Sequence, residues 1–307
     1  MGLGPRPIYV INDFDLAKKL FSMEEFSGRK FSDFHREHRF FNNKPQGIIN
    51  TEGKHWSTQR RFSMKTLKDF GFGKQSLEET INEECRELIE NLLSQSSENN
   101  HEDILLSSEF NIPVINILWQ MVAASRITKE DLAGMAVVAS VNDQFKHGVK
   151  ISMLPLALMK VFPKLTSYQM RIDIYDIQKD YILKEIKRHE ETFEPSHMRD
   201  FIDVYLAELR AGPQDGSFTQ EDLTITMMDF LQAGSETSST TLKWLVLYWT
   251  LNQEVQERCR SELSSVLGGA QCTVAHMARL PFLTATIAEV QRLACVAPVS
   301  LAHKESH

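Results

Sequence analysis

Apolar residues recur three and four positions apart through most of this chain. That period predicts helices over Phe110 to Ala124, Lys129 to Phe145, Thr166 to Glu191 and Phe201 to Arg210. Ile8 to Ile11 is a short β-branched and aromatic run that reads as a single strand. Asp13 opens a helical pattern that fades near Phe26, and the aromatic, basic text from there to Asn50 reads as loop. No fixed period of 20–50 residues recurs, which disfavours a helical solenoid.

Three later helices have legible ends. Thr219-Gln-Glu-Asp222 has the form of a capping box, and the helix it opens runs to about Leu251, far beyond the average of about 12 residues. Asn252 is placed to cap the next helix, which stops at Gly268-Gly269, where a left-handed residue costs glycine little. Pro281 suits the first turn of a further helix, and Pro298 lies beyond its end. Ser94 to Asn100 and Ala211 to Gly216 read as polar connections too short for domain linkers. The expected architecture is one mainly α domain over residues 1–307, with a minor β region near the N-terminus.

Composition changes this picture only by exclusion. The 307 residues are 42% hydrophobic, 24% charged and 9% aromatic, an ordinary globular mixture. A formal net charge of -7 gives nucleic-acid binding no support. The four cysteines (Cys85, Cys259, Cys272 and Cys295) are too widely spaced for a zinc site or a disulfide scaffold. No His-Glu-x-x-His occurs, and His35 and His38 have no acidic third ligand at useful spacing. The start lacks a signal-peptide pattern, and no run reaches the roughly 18 apolar residues of a membrane span.

Candidate chemistry lies where local rules are broken. The long helix carries Ala233-Gly-Ser-Glu-Thr-Ser-Ser-Thr-Thr241 at its centre, flanked by Met227, Phe230, Leu231, Trp244 and Leu245. Gly234 costs about 1 kcal/mol there against alanine, and the hydroxyls compete for backbone hydrogen bonds. Such a conflict marks either a functional site or a polar stripe with Gly234 as a helix–helix contact. Trp56 and Arg60 share a helix face and form a donor-only surface suited to carboxylates or phosphates, or a plain cation–π pair. Glu289-Val-Gln-Arg292 is an i,i+3 ion pair that alone needs no function. It is followed by Ala297-Pro298-Val299 and His303.

Taken in order, these features resemble the cytochrome P-450 family. Gly53-Lys-His-Trp56-Ser-Thr-Gln-Arg60 is similar to the family's helix C, Ala233-Gly-Ser-Glu-Thr-Ser238 to its helix I and Glu289-Val-Gln-Arg292 to its helix K. Thr66 to Lys74 and Asp200-Phe-Ile-Asp-Val-Tyr205 resemble the animal microsomal subgroup called family 2. The resemblance covers nearly all of the chain, which covers a little over half of the family's usual length. The family's anchor and first elements would precede Met1, and its Phe-x-x-Gly-x-x-x-Cys-x-Gly loop matches none of the four cysteines. No axial metal ligand is therefore assigned, and the chain by itself is expected to be inactive. The basic partner of the helix K pair lies outside as well, which predicts a buried, incomplete network that destabilises this stretch.

The resemblance implies a P-450 fold, a haem cofactor and a monooxygenase fed by NADPH through a flavoprotein reductase. It implies that Trp56, Arg60 and His303 contact haem propionates, and that Ala233 and Gly234 leave room for dioxygen and substrate. It implies that Thr237, aided by Glu236, relays protons to dioxygen, an acid–alcohol pair that favours monooxygenation over the family's isomerase and dehydratase branches. A substrate pocket of Ile48, Ile49, Phe110, Phe230, Ala297, Val299 and Leu301 suits a lipophilic small molecule such as a steroid, fatty acid, juvenoid or xenobiotic. Ile151 to Phe162 falls at the F–G loop and reads as a peripheral membrane contact, on the cytosolic face of the endoplasmic reticulum. Arg61, Lys65, Lys68 and Lys74 read as the reductase-facing patch or a solvated helix face. Two other readings stay open: a truncated, non-catalytic relative without the axial cysteine, and an all-α interaction scaffold.

Overall fold

A computed structural model describes residues 9–98, 106, 109–151, 156–212, 216–299 and 301–305. In chain order the elements are α1 (Phe14–Phe21), β1 (Gly28–Arg29), α2 (Gly53–Asp69), α3 (Glu78–Glu98), α4 (Asn111–Ala123) and α5 (Leu132–Ile151). There follow α6 (Leu156–Val161), α7 (Tyr168–Glu191), α8 (Phe201–Ala211), α9 (Gln220–Leu251), α10 (Gln253–Leu267), α11 (Pro281–Ala294) and β2 (His303–Lys304). The mainly α expectation holds. Contacts divide the chain into two compact units. One comprises Met1–Thr66, Lys129–Gln232 and Ser300–His307, and the other Leu67–Thr128 and Ala233–Val299.

Several helix ends follow the sequence signals. Asp13 Oδ1 accepts the Leu16 N–H at 2.7 Å and starts α1. Thr219 Oγ1 accepts the Asp222 N–H at 3.0 Å at the head of α9. Its reciprocal half differs from a capping box, because the Thr219 hydroxyl donates to Asp222 Oδ2 at 2.8 Å. Asn252 does not cap α10: its side-chain amide donates backward to Tyr248 O at 2.9 Å, drawn by the unpaired last carbonyls of α9. Gly268 ends α10 at φ 54°, and Pro281 opens α11.

Three expectations need correction. Residues 9–11 form no strand, since a β-branched run without a neighbouring strand has nothing to pair its N–H and C=O groups; residue 8 lies outside the described residues. The β region near the N-terminus is Gly28–Arg29, paired antiparallel with His303–Lys304. Within the supposed loop, His35–Arg39 winds as a short π-helix. Ser94 to Glu98 continue α3, with Ser97 Oγ donating to Leu93 O at 3.0 Å instead of leaving the helix, while residues 99 and 100 lie outside the described ones.

In the first unit, α5 and α7 pack through the i,i+4 pairs Val137–Val141 and Ile182–Ile186, all at most 1% exposed. Each such side chain contributes about 1.5–3 kcal/mol by leaving water. In the second unit Ile115, Trp119 and Val122 make the buried face of α4. Asn116 beside them does a backbone's work. Its Oδ1 accepts the Ile127 N–H at 2.8 Å and its Nδ2 donates to Ile127 O at 3.1 Å, so the turn after α4 is paired without a strand. Asn116→Leu leaves two buried main-chain groups unpaired and is expected to cost about 1–3 kcal/mol for each. A urea denaturation midpoint unchanged by this substitution would contradict the assignment.

Candidate functional site

The first unit gathers a set of hydrogen-bond donors. Residues four apart on α2 place the Arg60 guanidinium over the Trp56 ring, 5.5 Å from its centroid, so the cation–π contact is real. Trp56 is half-buried and Arg60 is exposed. The short sheet brings in Arg29, which lies opposite His303 in register. A Cβ on Gly28 would stand 2.6 Å from Lys304 O, so only glycine lets the two strands close. Glu52 locks the corner, with Oε2 accepting the Arg29 N–H at 3.0 Å and Oε1 bridging Lys304 Nζ at 2.9 Å. Burial alone would push its pKa up; Lys304 and the Arg29 amide outweigh it and hold the carboxyl below its ordinary range.

His303 serves Arg29. Its Nδ1 lies 2.6 Å from Phe26 O and donates there, leaving Nε2 to accept from Arg29 Nη1 at 2.6 Å. In this arrangement the ring contacts the Arg29 guanidinium through both of its nitrogens, at 2.6 and 2.9 Å. Burial, and then the nearby charge of Arg60, lower the Arg29 value from its usual range. Two cations close enough to repel each other suit an anion. Arg29 and Glu52 escaped the sequence reading. A lone arginine in a basic, aromatic loop carries no periodic signal, and its role depends on a strand partner 274 residues away.

In the second unit the centre of α9 divides into faces. Ser235 and Ser239, at 2% and 0% exposure, are the buried side. A Cβ on Gly234 would stand 2.9 Å from Leu118 Cδ2, so this glycine lets α4 approach. Ala233 and Thr237 lie on the exposed side. The Thr237 hydroxyl donates to Ala233 O at 2.7 Å. Glu236 accepts from Thr240 Oγ1 at 3.0 Å and has Lys243 Nζ 4.0 Å away. The acid and the alcohol are therefore held by separate partners. Glu289 and Arg292 form a two-pronged pair at 2.6 and 2.7 Å, and both are exposed. Among the described residues the pair is not the buried, incomplete network expected, since both charges lie exposed on α11.

The remaining positions are scattered over these surfaces. Ile48 and Ile49 are half-buried and give their N–H groups to Asp229 Oδ2. Phe230 packs edge-on against Phe201, with centroids 5.2 Å apart. Phe110 is half-buried ahead of α4, while Ala297, Val299 and Leu301 are exposed. Leu158, Val161, Phe162 and Leu165 are exposed on and after α6, and residues 152–155 lie outside the described ones. Arg61, Lys65, Lys68 and Lys74 are all exposed. No helix among the described residues is long and apolar enough to cross a membrane.

The Cytochrome P450 family model matches residues 1–307. Cytochrome P450 2D26 of Rattus norvegicus is 31% identical over 98% of this chain and 61% of its own length. Cytochrome P450 2J2 of Homo sapiens is 31% identical over 97% of the chain and 59% of its own. Farnesoate epoxidase of Bombyx mori is 28% identical over 98% of the chain and 60% of its own. The chain thus spans about 60% of the length of the curated relatives it matches. With that match running the whole length of a helical chain whose motifs fall on α2, α9 and α11, the chain belongs to the cytochrome P450 family.

Proposed function

We propose that the full-length protein is a haem-dependent monooxygenase that inserts one atom of dioxygen into a lipophilic small molecule, with electrons passed from NADPH by a flavoprotein reductase. The observation that carries this reading is the Arg60 guanidinium over the Trp56 ring with the sheet-held Arg29 near enough to feel its charge, a donor set suited to the two carboxylates of a haem. When bound, haem supplies activation of dioxygen. Arg60 and the Trp56 N–H hold one carboxylate, and Arg29, aimed by His303, holds the other. With haem and substrate bound, the Thr237 hydroxyl would hold a proton toward the reacting oxygen once it releases Ala233 O, and Glu236 would return a proton to that hydroxyl once it releases Thr240. Ala233 keeps the exposed face of α9 low enough to admit a ligand.

The half-buried Ile48 and Ile49 and the exposed Val299 and Leu301 support an uncharged, apolar substrate. Likeness to a farnesoate epoxidase keeps juvenoid-type terpenoids among the candidates, together with steroids, fatty acids and xenobiotics. The exposed apolar residues Leu158, Val161, Phe162 and Leu165 support peripheral contact with the endoplasmic reticulum membrane. Exposed Arg61, Lys65, Lys68 and Lys74 support docking of an acidic reductase.

Haem titration of the full-length protein tests the reading. Arg60→Leu is expected to weaken haem binding by about tenfold or more, the loss of one charge-assisted contact. Arg29→Leu is expected to act similarly, and Lys74→Leu to have no effect. Unaltered affinity in both arginine variants would contradict the assignment.

A further inference from the structure

The buried side of α2 is polar. Within the first unit the fully buried side chains of this helix are Gln59, Ser63 and Thr66, at 0%, 1% and 3% exposure. Their spacing of four and three continues backward to the half-buried His55, so the four stand in one row along the helix. Two members of the row reach far along the chain. His55 Nε2 lies 2.9 Å from Asp222 Oδ1, a buried carboxylate at the head of α9. An ionised carboxylate only accepts, so Nε2 donates. One turn on, Gln59 Nε2 donates to Ser217 O at 2.5 Å, and Gln59 Oε1 accepts from the Tyr205 hydroxyl of α8 at 3.2 Å.

Trp56 and Arg60 are each the residue after one of these anchors, and they stand together on the neighbouring face, guanidinium over indole. Contact area comes from Phe62, whose ring centroid lies 5.3 Å from that of Tyr205 and 5.0 Å from that of Phe218. Apolar contact of this kind holds a helix close but constrains its rotation less than hydrogen bonds do. Two hydrogen-bonded levels, one turn apart, fix one rotational setting among several. We propose that His55 and Gln59 are positioning residues that set the rotation of α2 and so aim Trp56 and Arg60 at the carboxylate they hold. This rests on the reading of those two donors as a clamp for a haem carboxylate.

The test is haem titration of the full-length protein. His55→Leu and Gln59→Leu are each expected to weaken haem binding about tenfold, the worth of one lost hydrogen bond to a charged or buried partner. His55→Gln keeps an N–H donor and is expected to restore most of the affinity. Gln178→Leu removes an equally buried amide elsewhere in the same unit, bonded to Ser140 and Gln232, and reports on general destabilisation. It should leave haem affinity alone. The decisive comparison is His55→Leu placed in a protein that already carries Trp56→Phe and Arg60→Leu. A residue that acts only through the clamp then adds less than about twofold, whereas an independent structural role adds its full tenfold again.

Effects that multiply overturn the proposal, as does a His55→Gln protein as weak as His55→Leu, or an equal loss in Gln178→Leu. Should Gln59→Leu fail to fold, the two His55 variants decide alone. The indole N–H resonance of Trp56 in the haem-free protein reads the same geometry without the cofactor. It is expected to move in His55→Leu, to return toward its place in His55→Gln and to stay put in Gln178→Leu; a resonance unmoved by His55→Leu is equally damaging. A wild-type protein that binds no haem contradicts the monooxygenase reading, and the indole resonance still decides whether the polar row sets α2.

Discussion

Arg39→Met is expected to lower the stability of the folded protein by about 3–5 kcal/mol. Arg39 and Asp229 are each 3% exposed, so no water replaces a lost partner. Burial already pushes the Asp229 carboxyl up, and Arg39 is the first influence opposing it, followed by the two amides. Without the guanidinium that carboxyl takes a proton in the fold, while in the unfolded chain it ionises near its ordinary value of about 3.9. A group with a raised folded value contributes stability below the unfolded value and loses it as pH rises. The deficit of Arg39→Met should therefore widen between pH about 4 and neutrality. The double variant Arg39→Met with Asp229→Asn should recover part of the loss, because it removes both charges while leaving an acceptor for the Ile48 and Ile49 amides. Guanidinium denaturation at two pH values decides the matter. A deficit below about 1 kcal/mol, or one independent of pH, would show that the pair is not desolvated.

Stability is also expected to carry a histidine signature at the junction of α7 and α8. His189 is 1% exposed, and both ring nitrogens face acceptors, Glu185 O and Asp200 Oδ2, each at 2.7 Å. A ring between two acceptors carries two protons. Burial alone would lower its value, but the Asp200 carboxylate and then the Glu185 carbonyl overcome it and hold the imidazolium above the ordinary range. A raised histidine contributes fully below its unfolded value of about 6.5, and the contribution fades as pH climbs through the folded value. Arg188 opposes it slightly, while Arg199 is engaged with Asp203. His35 acts in the opposite sense. Burial, Arg39 and Arg171 lower it to about 3, so its contribution is lost as pH falls below about 6.5. The clean observable is thus the difference between wild type and His189→Gln. That difference is expected to reach about 3–5 kcal/mol in mild acid and to shrink above neutrality. A difference that grows with pH would mean that the ring is neutral.

The sequence was informative where a property is local. Helix periods, the Asp13 cap, Gly268 and Pro281 depend on a few neighbouring residues, and all appear where their chemistry places them. The conflict around Gly234 was legible too, although only the structure shows that its missing side chain makes room for Leu118. Asp229 was visible in principle as one acid inside the apolar stretch Leu223 to Leu231, and its burial is what such a placement requires. Non-local facts left no trace. Arg29 gains its role from a strand at the other end of the chain, and residues 9–11 fail as a strand for want of a partner. The exposure of Glu289 and Arg292 likewise depends on what stands opposite α11, which a motif cannot report.

The central claim is oxygen insertion by a haem-bearing protein, and turnover of the full-length enzyme under heavy-isotope dioxygen tests it most directly. With NADPH, a flavoprotein reductase and a panel of lipophilic substrates, the account predicts product carrying one heavy oxygen atom. Thr237→Val is expected to diminish that product while haem binding persists. Product whose added oxygen comes from water, or no turnover in a protein that holds haem fully, would contradict the account.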